Sequence, residues 1–501
     1  MRTTPIGITM LNDEREHVWR ANNLENMRVV KRWADVIRKG LKNVDGTAPQ
    51  VVMGSQIVTG TRVAQQVGEE LRRTGCRSVV MCYNVWNFPF LVWPFINSAG
   101  RHAPILSLSN NNGKFPGNVG LLATDGALRQ AGVRTHRIVG DMGDPKVRQQ
   151  VTDWLRAAQA VTTISNEVYG LYGGHSMGME TGYWHLTAML KCLGVTARQI
   201  DQLWLVKVME NEVDEAEVTK GFRWLTKMLG DRILYDGKML TPETLKTQLR
   251  LYCAMKLVNE DKGFDFCGLK GQRELTEHVC LGDVPEMLMN DPYDWHGRKE
   301  PMVCSTEADS DAAVTMQLLK YITGGLPTLF MDVRLYHPDR DLWDWCNSGN
   351  HASWYAAQSF RASENFEKVT LHPALEYYFK AGGASVEFDA APGPMTFCRL
   401  GIWDEKPYMV IVKGESVDLP REESRKLAAQ TNPTWPHVWA RLECSFEEFL
   451  NVFPCNHVQG VPGDRVRPLA MACDMAGIKP IILGPAGKER PEPIWETMRG
   501  T

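Results

Sequence analysis

Residues 302–334 read MVCSTEADSDAAVTMQLLKYITGGLPTLFMDVR, which parses as a strand (Met302–Thr306), a helix and a second strand (Thr328–Asp332). Asp309, Ser310 and Asp311 suit a helix N-terminus, where short polar side chains accept from free N–H groups and negative charge complements the dipole. Gly324 and Gly325 suit its end, and Pro327 prevents continuation. The helix is apolar around much of its circumference, which predicts burial. A right-handed crossover makes the two strands parallel. Glu307 then falls just past the carboxyl end of one strand and Asp332 at the carboxyl end of the other. If the strands are neighbours, both acids lie on the rim where ligands of open α/β sheets bind. An acid at the end of a hydrophobic strand needs a cation beside it. One candidate is Arg334, on the same strand, giving a structural ion pair. The other is a divalent metal: two carboxylates and one imidazole, with open positions, suit Mn²⁺ or Mg²⁺. The imidazole candidate is His457, in the Asn456-His457 loop after the amphipathic Phe446–Phe453 segment; a lone loop histidine carries little weight by itself.

Upstream, β-rich segments at Gln50–Met53, Ser78–Tyr83, Ala103–Ser107 and Ala160–Ser165 alternate with helical patterns at Ala21–Leu41, Arg62–Thr74, Gly117–Ala131 and Pro145–Ala158. Such alternation implies a parallel sheet covered on both faces. The middle third opens on the glycine-rich turn Tyr172–Gly178. Helices near Glu212–Leu229 and Thr241–Asn259 and a strand at Phe264–Gly268 follow. From about Gly382 short strand candidates crowd together: Ser385–Asp389, Met395–Ile402, Tyr408–Lys413 and Glu415–Asp418. Their glycine and proline punctuation predicts a small antiparallel β domain or barrel. A last helix (Val466–Ala476) and strand (Pro480–Leu483) precede a proline-rich tail. The expected fold class is therefore α/β: two Rossmann-like parallel-sheet domains followed by a smaller, mostly antiparallel, barrel-like β domain. The expected borders are 1–165, 166–365 with the acidic ligands, and 366–501 with the histidine.

Composition excludes several function classes. In 501 residues, 56 Lys and Arg face 59 Asp and Glu, a net charge of −3, so neither a nucleic-acid surface nor an acidic tail is expected. A bilayer-spanning helix needs about 20 apolar residues; the longest strongly apolar run is Phe88–Ile96. The start, MRTTPIGITM, lacks the build of a signal peptide. The twelve cysteines contain no C-x-x-C pair, which predicts reduced thiols and a cytoplasmic location. Gly484-Pro-Ala-Gly-Lys-Glu489 has the wrong glycine spacing for a P-loop and lacks the Ser or Thr after lysine. The loop Asn110–Gly117 lacks G-x-G-x-x-G, and no H-E-x-x-H or G-x-S-x-G occurs. Hydride transfer to NAD, ATP chemistry and serine hydrolysis lose ground.

Several short motifs occur together in one order: Gly173-Gly-His-Ser-Met-Gly178, Lys270-Gly-Gln-Arg273, Ser305-Thr-Glu-Ala-Asp-Ser310, Leu329-Phe-Met-Asp-Val-Arg334, Asn347-Ser-Gly349, Trp435-Pro436, Cys455-Asn-His-Val458 and Val461-Pro-Gly-Asp464. In these the chain resembles the L-fucose isomerase family, which is related to the L-arabinose isomerases. The resemblance implies that Glu307, Asp332 and His457 hold Mn²⁺, with Mg²⁺ or Co²⁺ as substitutes, and that the two carboxylates serve as acid and base. It implies sugar contacts at Ser176, Met177, Gln272 and Asn456. Arg15 and Trp86 match more loosely; in the family such residues reach into a neighbouring subunit's site. A homohexamer is implied, acting on a small sugar, with no nucleic-acid or membrane partner. There are departures. The chain is shorter than typical fucose isomerases, and one aromatic sugar contact of the family has no secure counterpart. His351, two residues beyond Gly349, reads either as a fourth ligand or as a solvated loop histidine.

The implied reaction is aldose–ketose isomerisation of a free pentose or 6-deoxyhexose, of the L-fucose to L-fuculose or D-arabinose to D-ribulose type. The C2 proton of an aldose is a weak acid. A metal on O1 and O2 stabilises the enediolate, and a carboxylate within about 3 Å shuttles the proton. The sequence leaves open which carboxylate serves which carbon, and whether a hydride shift replaces the enediol. Two rival readings stand beside it: an isomerase of another sugar on the same scaffold, and a non-catalytic sugar-binding protein.

Overall fold

The computed structural model describes residues 1, 3–111, 117–349 and 351–486. Parts of the Asn110–Gly117 loop and of the Gly484–Glu489 turn, and the proline-rich tail, therefore lie outside the described residues. The chain divides into two compact units, Met1–Thr163 and Ile164–Thr501.

The first unit is a five-stranded parallel sheet in the order β2-β1-β3-β4-β5. Its strands are β1 (Ile6–Met10), β2 (Val51–Met53), β3 (Ser78–Tyr83), β4 (Ile105–Ser109) and β5 (Thr135–Val139). β1, β3 and β4 are buried along their whole length, as central parallel strands covered on both faces must be. Helices Glu16–Gly40, Thr61–Arg73, Val92–Ala99 and Gly117–Gln130 lie between them in sequence, and Pro145–Ile164 follows β5. One expectation is corrected here: Ala160–Ser165 is not a strand but the end of helix Pro145–Ile164. Val151, Trp154, Leu155 and Ala158 bury one helical face, and that packing overrides the β propensity of Val161-Thr-Thr-Ile164.

The second unit holds a four-stranded parallel sheet in the order β11-β8-β6-β7: β6 (Val168–Tyr172), β7 (Thr196–Ile200), β8 (Phe266–Leu269) and β11 (Cys304–Thr306). A two-residue hairpin, β9 (Tyr293–Asp294) and β10 (Gly297–Arg298), precedes β11, and β14 (Thr370–Pro373) pairs with β15 (Ala384–Glu387). The expected helix near Glu212–Leu229 runs Glu215–Leu229, with Asp214 capping it by accepting from Ala216 N–H, and a separate helix, Gln202–Asn211, precedes it.

The remaining strands close into a barrel: β16 (Gly393–Trp403), β19 (His457–Pro462), β12 (Leu329–His337), β13 (Leu342–Cys346), β18 (His437–Leu442) and β17 (Lys406–Ser416) pair antiparallel in that order, and β17 pairs back onto β16. β20 (Lys479–Ile482) adds in parallel to β17. The expected separate strand Glu415–Asp418 is the end of β17. Because the barrel begins at Leu329, the border expected near residue 365 runs through it rather than beside it.

The elements of 302–334 are those expected, but their arrangement is not. Asp309 caps helix Ser310–Thr323 by accepting from Ala312 N–H at 2.9 Å, and Gly324 ends it in the left-handed region. The helix is buried nearly all round. Yet β11 and β12 are not neighbouring parallel strands: β11 is an edge of the parallel sheet, and β12 is a barrel strand paired antiparallel to β13 and β19. Among the described residues no helix is long and apolar enough to cross a membrane.

Candidate functional site

Three loops leave adjacent carboxyl ends of the second unit's parallel sheet. After β6 comes the loop with Ser176 and Met177, after β8 the loop with Gln272, and after β11 Glu307 itself. Ser176 is buried, its hydroxyl without a hydrogen-bond partner among the described residues, while Met177 is half exposed. Glu307 and the following Ala308 sit at φ 55° and 50°, a conformation that non-glycine residues hold only where their surroundings impose it. Glu307 thus lies on the rim as expected, and Gln272 and Ser176 belong to loops on the same rim. The rim argument does not hold for Asp332.

Asp332 reaches the same place from the barrel. It lies inside β12, not at a strand end, and is the register partner of His457 on β19. His457 Nε2 is 3.2 Å from Asp332 Oδ1 and 3.3 Å from Glu307 Oε2. This nitrogen is buried and neither contact has the geometry of a hydrogen bond. Asn456 Nδ2 donates to Asp332 Oδ1 at 2.8 Å, and Arg334 Nη2 lies 2.9 Å from Asp332 Oδ2. Arg334 is the extra residue of a bulge in the β12–β13 pair, and such a bulge re-aims its side chain. The ion pair expected as an alternative to a metal therefore exists beside the converging donors, not instead of them.

The other face of His457 shows what the sequence reading missed. Nδ1 is 2.6 Å from Asp309 Oδ2, so the helix-capping aspartate uses its second oxygen to orient the imidazole. A carboxylate behind a ring nitrogen fixes the tautomer and frees Nε2 for a metal. Burial pushes Asp309 up, but the charge of Arg399 and the bond from His457 hold it well below the ordinary carboxylate range. Burial likewise opposes ionisation of Asp332, yet His457, Arg334 and Asn456 bring it below its ordinary value. Burial disfavours the protonated form of His457, but the hydrogen bond to Asp309 and the neighbouring carboxylates of Asp332 and Glu307 outweigh it and carry the pKa well above normal. An imidazole whose Nε2 meets two carboxylate oxygens without a hydrogen bond, and whose Nδ1 is anchored, is a donor set that fits a hard or borderline divalent ion.

His351 is corrected in one respect: it is not solvated but buried, and burial pushes its pKa down to about 3, so the ring is neutral. The turn before it packs close to the rim. A Cβ on Gly349 would lie 2.3 Å from Glu286 Oε2 and 2.8 Å from Thr306 Oγ1. Asp344, Cys346 and His437 form another buried group with metal-ligand side chains. There, however, His437 Nδ1 is bonded to Asp344 at 2.6 Å and Nε2 to the Asn432 carbonyl at 3.0 Å. Asp344 also accepts from Thr431 at 2.7 Å. With its polar atoms paired, that group is structural.

In the first unit the chain leaves β1 for β2 on one side and then crosses to β3 on the other, so the ends of β1 and β3 flank a topological switch point, where open α/β sheets bind ligands. Arg15 follows β1 and Trp86 follows β3. The Arg15 guanidinium lies 5.9 Å from the Phe88 ring centre, and Trp86 meets Phe88 edge-on at 6.3 Å. Arg15 is held by a two-point pair to buried Asp13, at 3.0 and 2.6 Å. A chain of amides runs behind both loops: Asn110 donates to Asn84 (2.5 Å), Asn84 to Asn26 (2.9 Å), and Asn26 and Asn12 both to Asn22 (3.1 and 2.7 Å). Asn12 then accepts from Asp13 N–H at 2.8 Å.

Comparison with known proteins agrees with this organisation. Three family models match: L-fucose isomerase, first N-terminal domain, over residues 3–166; second N-terminal domain, over 239–324; and C-terminal domain, over 345–483. Among similar proteins, the L-fucose isomerase of Bacteroides thetaiotaomicron is 26% identical, with 89% of this chain and 87% of that protein aligned. The L-fucose isomerase of Haemophilus influenzae is 23% identical over 83% and 80%, and that of Vibrio vulnificus 25% identical over 83% and 81%.

Proposed function

The chain belongs to the L-fucose isomerase family and is an aldose–ketose isomerase; we propose that it converts a free 6-deoxyhexose or pentose at a divalent ion held by Glu307, Asp332 and His457. The observation that carries this reading is the meeting of both carboxylates at His457 Nε2, with Nδ1 oriented by Asp309. When bound, such an ion, Mn²⁺ by preference, would polarise the sugar's reacting oxygens and stabilise the negative charge that develops there.

The surroundings of the two acids suggest a division of labour. Asp332 has both oxygens engaged, Oδ1 by Asn456 and His457 and Oδ2 by Arg334, and its lowered pKa makes it a poor base. Glu307 is tied, among the described residues, through Oε2 to His457. Glu307 therefore takes the proton from C2 and returns it to C1, while the O2 hydroxyl proton passes to O1. The aldose HC=O/HC–OH pair becomes H₂C–OH/C=O with all atoms accounted for. Asp332 stays a ligand. Ser176, Met177 and Gln272 line the sugar's approach over the rim. Arg15 and Trp86 form a further contact surface on the first unit, supplied to a site in a homo-oligomer.

The test is aldose-to-ketose conversion across L-fucose, D-arabinose, L-arabinose, D-ribose and L-galactose, after chelation and again with Mn²⁺ restored, with Glu307→Gln as control. Turnover that returns with Mn²⁺ and is lost in the control supports the reading and ranks the sugars. Turnover insensitive to chelation, or retained by Glu307→Gln, would sink it.

A further inference from the structure

Arg399 on β16 has a side chain with no exposure at all, and a buried guanidinium is tolerated only where charge and hydrogen bonds meet it. Its two terminal nitrogens serve different parts of the second unit. Nη1 donates to Asp309 Oδ2 at 2.8 Å, the same oxygen that accepts from His457 Nδ1 at 2.6 Å. Nη2 donates to the Thr181 carbonyl at 2.6 Å. Thr181 belongs to the short turn Glu180–Gly182, which ends the loop carrying Ser176 and Met177. Backbone bonds link the turn to that loop, from Gly182 N–H to the Met179 carbonyl at 3.0 Å and from Met179 N–H to the Ser176 carbonyl at 3.0 Å. A Cβ on Gly182 would lie 3.4 Å from Asp309 Cα, so the turn and the helix cap are in close approach where Arg399 joins them.

We propose that Arg399 is a positioning residue that ties the metal-binding histidine to the sugar-contacting loop, setting both from one planar guanidinium. The inference rests on the reading of His457 as a metal ligand and of Ser176 and Met177 as sugar contacts. Its chemistry needs a fork: arginine presents parallel donors in fixed geometry, whereas lysine offers a point charge on a flexible stem. Arg399→Lys can pair with Asp309 or reach Thr181, but it cannot hold both in register.

The experiment uses the full chain stripped of metal. Mn²⁺ affinity is measured by titration calorimetry, and amide hydrogen exchange is followed over residues 173–182, for the unaltered protein, Arg399→Met and Arg399→Lys. In Arg399→Met, Mn²⁺ affinity is expected to fall by about ten-fold or more while the loop amides exchange faster, and KM for the sugar to rise by a larger factor than kcat falls. Arg399→Lys is expected to lie between the two, which keeps the test usable if the methionine variant does not fold. A folded variant with unchanged Mn²⁺ affinity and unchanged loop exchange overturns the role of Arg399. Failure of the unaltered protein to bind Mn²⁺ is a different result, and sinks the metal reading together with everything built on it.

Discussion

Asp309 shows how one side chain serves two structures. Oδ1 caps helix Ser310–Thr323 and Oδ2 holds His457 Nδ1. Asn caps a helix about as well as Asp, but Asp309→Asn also leaves the buried Arg399 guanidinium without its counter-charge, so the thermal midpoint should fall although the cap is kept. Without the carboxylate behind the imidazole, Mn²⁺ affinity should fall about 10- to 100-fold, read by titration calorimetry on metal-free protein. A folded Asp309→Asn protein with unchanged Mn²⁺ affinity would show that the carboxylate does not prepare His457 for a metal. The two acids should also part company. Glu307→Gln should abolish turnover with modest loss of metal, whereas Asp332→Asn should lose metal first and recover part of its activity at high Mn²⁺. Asp309 was legible as a cap because its partner is three residues away. Its contact with His457 was not, because the two residues are 148 positions apart in the sequence.

At the scale of elements, the turn Asn347-Ser-Gly349 and the amide chain of the first unit are devices that hold loops. Gly349 has φ 86° and no space for a Cβ beside Glu286 and Thr306. Gly349→Ala should cost about 1–3 kcal/mol through strain and overpacking and displace Thr306, one residue from Glu307. Differential scanning calorimetry together with kcat checks both consequences. Asn26 is buried at the centre of the amide chain behind Arg15 and Trp86. Asn26→Ala leaves Asn84 and Asn22 short of partners, a loss of about 1–3 kcal/mol. Amides of both rim loops should then exchange faster together; unlinked changes would show that the chain is not a unit. Element identity in 302–334 followed from caps and periodicity. Which sheet each strand joins did not, since β12 finds its neighbours at residues 342–346 and 457–462.

The whole molecule is sensitive to pH through carboxyls that are not among the donors. Asp283 and Asp291 are each pushed up to about 7, chiefly by burial. Asp283 accepts from the Ser348 hydroxyl at 2.7 and 2.9 Å, and Asp291 from Ser353 and from Trp354 N–H. The folded state holds these protons more tightly than the unfolded chain does. Their stabilisation is full below the ordinary aspartate value and is lost as pH rises through about 7. The thermal midpoint of the unaltered protein, taken relative to Asp283→Asn, should therefore fall between pH 5 and pH 8. A difference independent of pH would show that Asp283 does not titrate in this range.

The sequence by itself determined what is local: helix caps at Asp309 and Gly324, the alternation that makes parallel sheets, the crowded short strands of the barrel, and through motif order the family and its reaction class. These depend on residues within about a turn or a strand of one another, where periodicity and capping act. Tertiary structure decided the rest. It placed Asp332 and His457 as register partners in a closed barrel, and brought Glu307 to them from the edge of a different sheet. It also set Asp309 and Arg399 behind the histidine and buried His351. Strand partnership and register are chosen by burial summed over the whole chain, and no short window of sequence contains that sum.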